Sequence, residues 1–301
     1  MNVGVVLPLG NNEETGQPLT YREIRALARQ IEQDGLDAVW VFDHLIYRTG
    51  EHEAGTWEGW TILTAIADAT ERVELGTLVL CTAFRNPAVL AKMAATLDEI
   101  SGGRLILGLG AGWHEAEFAA FGIPFDHRVG RFQDALRIIA PLLRTGRVDY
   151  AGPYYEALNC ALLPPDPRPG GPPILVASES PRMLRLTAVH ADLWNTAWLG
   201  DPAPLAERVA ALDAACAEVG RDPATLGVTV GVSVAFPDLA AVPALAEHPD
   251  RYLTGSPAQL AAGLRPYAAR GVVHVICRCY PSTAEAFGRV AAAARLVGNG
   301  G

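Results

Sequence analysis

Apolar and polar positions along this chain follow two periods, short unbroken apolar runs and longer stretches with apolar residues three or four apart. Val3-Gly-Val-Val-Leu7 opens a first strand, expected over 2–9. Thr20-Tyr-Arg-Glu23 has the spacing in which a hydroxyl and a carboxylate satisfy each other's amides at a helix start. Ile24, Leu27, Ala28 and Ile31 then form one helical face, and Gly35 ends it. The same unit recurs, with strands expected at 37–43, 73–81, 104–110, 173–177, 192–197, 226–235 and 272–279. Helices are expected near 57–70, from Asn86-Pro87 to Ser101-Gly-Gly103, over 127–144, after Ser178-Glu-Ser-Pro181, and at 203–219, 257–270 and 283–297. A short helix near 114–121 precedes the one at 127–144, whose last turn Pro141 should kink.

Eight strand-then-helix units predict an α/β fold of the (β/α)8 TIM-barrel type with inserted segments. One domain is expected over 1–301, with insertions at about 111–126, 146–172 and 236–255. The second insertion is rich in proline and glycine and carries Tyr150, Tyr154 and Tyr155, which suits an excursion with a short hairpin. A doubly wound open sheet fits less well. Its glycine fingerprint should follow the first strand as Gly-x-Gly-x-x-Gly, whereas Gly108, Gly110 and Gly112 alternate after the fourth.

Those glycines close the most informative run, Leu105-Ile-Leu-Gly-Leu-Gly-Ala-Gly-Trp-His-Glu115. Bare main chain where a buried strand runs out lets a flat ligand lie against it. Active sites of such barrels sit at these strand ends. Asp43 and His44 end the second strand, and an imidazole there can give or take a proton near neutrality. Asp43 alternates away from His44, which suits an anchor for the next loop. Cys81 ends the third strand, and Asn195 and Trp198 stand at the end of the sixth. His114 and Glu115 read as polarity at a helix start. A metal site sketched from them and His44 lacks ligand spacing, and no metal is expected. Proline and serine in Ser178-Glu-Ser-Pro181 offer a helix cap whose free amides suit a phosphate. Glu179 would repel that phosphate unless it points away or accepts a hydrogen bond.

Composition narrows the classes. With 24 basic and 33 acidic residues the net charge is −9, which argues against nucleic acid or an anionic membrane as partner. The single lysine, Lys92, lies in a predicted helix, so a Schiff-base mechanism at a strand end is disfavoured. The cysteines (Cys81, Cys160, Cys216, Cys277 and Cys279) contain no Cys-x-x-Cys pair, and Cys277 and Cys279 share one strand face, as reduced thiols would. No basic leader precedes the first strand and no apolar run is long enough for a bilayer, so a cytoplasmic location is expected.

Several segments together resemble the luciferase-like monooxygenase superfamily, and most of all its branch of F420-dependent oxidoreductases. They are Gly76-Thr-Leu-Val-Leu80, Arg85-Asn-Pro-Ala-Val-Leu-Ala-Lys-Met93, Leu97-Asp-Glu-Ile-Ser-Gly-Gly-Arg-Leu105, Gly108–Glu115, Glu117–Phe125 and Ala191-Asp-Leu-Trp-Asn195. The resemblance implies a flavin or deazaflavin across the barrel mouth. It places a non-proline cis peptide at Leu78–Val79 beside Gly76 and Thr77, and His44 as the catalytic residue next to the ring. Asp43, Gly110, Ala111 and Gly112 would neighbour the cofactor, and Glu179 and Ser180 its phosphate. Trp113 stands where the F420-dependent sugar-phosphate dehydrogenases carry a catalytic glutamate, so a more apolar substrate is expected. Trp113, Asn195 and Trp198 would face that substrate. The implied activity is hydride transfer between F420 and a small organic substrate. An FMN-dependent monooxygenase is the alternative, and a non-catalytic flavin-binding protein a further one. A reductase supplying reduced flavin or F420, and a homodimer, are the expected partners.

Overall fold

A computed structural model describes residues 1–10, 17–49 and 52–298. Eight parallel strands close on themselves: β1 (Asn2–Val6), β2 (Ala38–Val41), β5 (Glu74–Thr77), β7 (Leu105–Gly110), β10 (Ile174–Ala177), β11 (Leu193–Leu199), β12 (Gly227–Ala235) and β14 (Val272–Tyr280). The pairing of β14 with β1, and of β10 with β7, completes a (β/α)8 barrel. Helices α1 (Tyr21–Gln33), α2 (Gly59–Ala69), α3 (Pro87–Ser101), α5 (Arg128–Thr145), α6 (Pro181–His190), α7 (Leu205–Val219), α9 (Pro257–Ala269) and α10 (Ala284–Gly298) follow the strands in turn. The capping box of Thr20 and Glu23 is formed, and Asn86 caps α3 ahead of Pro87. Helix α5 continues through Pro141 to Thr145.

Apolar side chains fill two layers. Between strands and helices lies the larger one, where Cys277 and Cys279 are both buried. Burial pushes the Cys277 thiol up to about 12 and raises that of Cys279, so neither is a thiolate at neutral pH. Inside the barrel, Val6, Trp40, Leu78, Ile106, Leu175 and Ile276 pack together. The Trp40 indole occupies the space that a Cβ on Gly76 would need, 2.1 Å from the nearest ring carbon. Gly76 therefore serves the barrel's own packing.

Inserted elements crowd the mouth. The hairpin of β8 (Arg147–Ala151) and β9 (Glu156–Ala161) falls within the proline-rich insertion, as its composition suggests. Helix α4 (Glu115–Ala120) lies in the first insertion, α8 (Pro243–Glu247) and β13 (Tyr252–Thr254) in or near the third. A second hairpin, β3 (Ile46–Thr49) with β4 (His52–Gly55), follows β2, a region the apolar pattern leaves without an element. The third strand is interrupted. It stops at Thr77, passes through the cis peptide Leu78–Val79, and resumes as β6 (Leu80–Cys81) with its register against β7 slipped by one residue. Among the described residues no helix is long and apolar enough to cross a membrane.

Candidate active site

The chain leaves β2 at Val41, and the next residues set the site. Asp43 is buried, with both carboxylate oxygens taken by the Arg85 guanidinium at 2.7 and 2.9 Å. One of them also accepts from the Cys81 amide at 2.9 Å, and Arg85 reaches on to Glu58. Asp43 thus ties the end of β2 to β6 and the start of α2. Its oxygens are committed to the protein, so it meets the cavity as part of the wall.

His44 turns the other way. Its Nδ1 lies 3.1 Å from Oε1 of Glu117, whose side chain is only 2% exposed, and Oε2 of the same carboxylate accepts from the Leu45 amide at 3.0 Å. Burial pushes the Glu117 carboxyl up, but hydrogen bonds from His44 and the Leu45 amide outweigh it and hold it below the usual carboxylate range. The carboxylate is therefore ionised near neutrality, and Nδ1–H of His44 donates to it. Nε2 has no hydrogen-bond partner among the described residues. The sequence does not single out Glu117, because an acidic residue in a first helical turn has a sufficient reason in the helix dipole. Its neighbour His114 accepts from the Arg48 amide through Nε2, 3.1 Å, so it fastens hairpin β3–β4 to the start of α4.

A cavity of about 380 Å³ opens beside His44, within the usual range of small-molecule sites. Leu78, Val79 and Met183 give it apolar walls, and Gly110, Ala111 and Gly112 its backbone floor. His44 and the Gly110–Gly112 turn therefore share one cavity. The glycines also have a packing reason. A Cβ on Gly110 would stand 2.6 Å from Val79 Cγ2, and one on Gly112 would stand 2.6 Å from Phe118 and 2.7 Å from the Cys81 sulfur. They admit neighbouring side chains, and Gly112 adopts φ +76 where β7 turns toward α4. At Gly108 a Cβ would strike the Thr77 carbonyl, while Thr77 Oγ1 accepts from the Gly108 amide at 2.9 Å. Thr77 and Gly76 thus lie behind the cavity wall as its support. Cys81 lines the cavity, but burial pushes its thiol up to about 12, which removes it as a nucleophile.

The remaining expected residues divide. Trp113 stands at the rim, 65% exposed, its ring edge-on to His44 at 5.6 Å. Tyr47, from the unforeseen hairpin, lies closer at 4.2 Å. Asn195 does not face the cavity. It is 1% exposed and its amide donates to Thr229 Oγ1 at 2.9 Å, a tie between β11 and β12. Trp198 opens onto a different part of the mouth, against Phe42. Ser180 precedes Pro181 at the start of α6 but makes no side-chain cap. Glu179 is held by Arg208 at 2.7 Å and Thr196 at 3.3 Å, which draws its carboxylate toward β11. The flanking Ala177 and Met183 reach the cavity; Glu179 and Ser180 do not line it.

Arg128 leads out of the cavity. Its guanidinium donates to the Gly112 carbonyl at 2.6 Å and also lines an adjoining groove of about 530 Å³. Arg137, Arg182, His127 and Tyr154 line the same groove, together with Asp134, whose carboxylate accepts from the Tyr150 hydroxyl and the Tyr154 amide. An apolar, backbone-floored pocket opening into a basic groove suits a planar ring with an anionic tail.

Comparison with known proteins shows the family and the fold. The profile of a family described as luciferase-like monooxygenase matches residues 1–248. "Pyrimidine monooxygenase RutA" of Methylorubrum extorquens is 34% identical over 243 residues, 74% of this chain. "F420-dependent glucose-6-phosphate dehydrogenase" of Amycolatopsis mediterranei is 36% identical over 178 residues, 57% of this chain. The matched stretches span 64% and 52% of those two proteins' lengths. A solved "F420-dependent secondary alcohol dehydrogenase in complex with an F420-acetone adduct" shares the fold across 98% of both chains, with a TM-score of 0.79 and 18% identity.

Proposed function

The chain belongs to the luciferase-like monooxygenase family, and we propose that it is an oxidoreductase moving a hydride between coenzyme F420 and a small organic substrate. The observation carrying this reading is the Glu117-held imidazole of His44 facing a cavity floored by Gly110–Gly112. When bound, a deazaflavin supplies hydride transfer at its ring carbon, whereas a flavin also supplies oxygen activation. Leu78, Val79, Ala111 and Gly112 would hold the ring, and Arg128 with Arg182 the anionic tail. Glu117 fixes the Nδ1–H tautomer of His44, so Nε2 is the nitrogen that gives or takes the substrate's proton. Leu78, Val79 and Met183 keep water from the reacting face.

A second reading, an FMN-dependent monooxygenase, is favoured by the broader match to the pyrimidine monooxygenase. Equilibrium dialysis against F420 and FMN, with tryptophan quenching as readout, separates the two. Saturable F420 binding is the expected result; tight FMN binding with none for F420 reverses the choice. His44→Ala is expected to lower turnover by about 10²–10⁴-fold while leaving cofactor affinity in place.

A further inference from the structure

The barrel mouth holds another cavity, of about 240 Å³, that the reaction above does not use. It lies across Phe42 and Tyr47 from His44. Both residues line it, and their rings stand 6.4 and 4.2 Å from the imidazole. Leu7, Leu9 and Leu19 make its walls apolar. Into this apolar space β14 sends one charge. His274 meets Trp40 and Ile276 packs inside the barrel, so alternation along the strand brings Arg278 inward one layer higher, at the mouth.

The Arg278 guanidinium lies over the rings of Tyr280, Phe42 and Trp198, at 5.0, 5.5 and 6.0 Å. Among the described residues no carboxylate pairs with it and no oxygen accepts from it. Arg85, Arg168 and Arg208 are each paired to a carboxylate. Aromatic faces stabilise a cation but leave the edge donors of its planar fork unused. A half-buried fork whose donors meet no acceptor among the described residues, beside apolar walls, matches an oxyanion on a hydrocarbon body, because two parallel N–H···O bonds form at once.

We propose that Arg278 anchors the substrate's anionic group, a carboxylate or sulfonate, on an apolar body that fills this cavity and extends past Phe42 and Tyr47 toward His44. That His44 marks the reacting end rests on the redox reading above; the anion site itself does not.

Binding of hexanoate, hexane-1-sulfonate and the neutral hexanamide to the full chain without cofactor tests this, followed by tryptophan fluorescence because Trp198 lies against Arg278. At least one anion is expected to bind about tenfold tighter than the amide, and which one does so separates carboxylate from sulfonate recognition. Arg278→Met should abolish that preference, with amide affinity held within about twofold, and Arg278→Lys should keep part of it. Equal binding of anions and amide by the wild type, no saturable anion binding, or a preference that survives Arg278→Met overturns the proposal. If the methionine variant fails to fold, Arg278→Lys decides: an undiminished preference there counts against the fork. F420 and FMN titrations run in parallel keep the two readings apart. A wild type that binds neither cofactor yet prefers the anions overturns the redox reading and sustains this one.

Discussion

Glu117 determines what His44 can do. A free imidazole would divide its proton between two nitrogens, whereas a buried carboxylate at 3.1 Å assigns it to Nδ1. Glu117→Gln presents an amide that can donate to Nδ1 and favour the opposite tautomer. Turnover is expected to fall on the order of 10²-fold with cofactor affinity unchanged, measured as kcat beside a cofactor titration. A parallel loss of both would mark Glu117 as merely structural. Asp43 carries a different load. With Arg85 bound through both oxygens, Asp43→Asn leaves a largely buried guanidinium half-paired, at a cost of about 3–5 kcal/mol in a urea unfolding experiment. The place of His44 at the barrel mouth was legible, because the apolar run Ala38-Val-Trp-Val-Phe42 that precedes it reads as a buried strand. Glu117 was not, because its partner lies 73 residues away and its own helical turn explains an acid equally well.

Elements at the bottom of the barrel show how a single carboxylate can fasten a strand. Glu32, in the last turn of α1, accepts from the amides of Glu71, Arg72 and Val73 at 3.0, 2.6 and 3.1 Å, just before β5. Burial raises its carboxyl, but the three amides and nearby Arg104 outweigh that and hold it below the usual range. Since the folded state binds the proton less readily than the unfolded chain, the stabilisation is complete above the unfolded carboxylate range near pH 4.3 and fades as pH falls through the lowered folded value. Glu32→Gln is therefore expected to cost about 1–2 kcal/mol at pH 7 and progressively less toward pH 3, read from denaturant midpoints. A gap that stayed constant or widened in acid would contradict this. Helix α1 itself was plain from Thr20, Glu23 and its apolar face. Hairpin β3–β4 was not, although Ile46, Tyr47 and Thr49 favour strands, because so short a stretch does not stand out from loop. That omission hid Tyr47, the ring nearest His44.

Across the whole molecule, the barrel followed from apolar runs alternating with capped helices, since closing eight parallel strands is what such a pattern demands. Charge distribution did not follow. A net charge of −9 conceals a basic groove assembled from Arg128 and Arg137 on α5 and Arg182 on α6, joined by Tyr154 from the turn between β8 and β9. Within one element these arginines look like ordinary solvated positions; only closure of the barrel sets α5 beside α6. If the groove takes the cofactor's anionic tail, affinity has a part that depends on the phosphate and a part that depends on the ring. Replacing both Arg137 and Arg182, which line the groove and not the ring cavity, with glutamine removes donors from the first part alone, while Leu78, Val79 and the Gly110–Gly112 floor remain for the second. Binding of FMN and of F420 is then expected to weaken about tenfold or more, that of riboflavin, which has no phosphate, by about twofold at most. Raising the salt concentration should weaken FMN binding to the wild type more than to the double variant. Equal losses for riboflavin and FMN would place the defect in the ring pocket, and the anionic tail would then have to lie along another wall of the mouth.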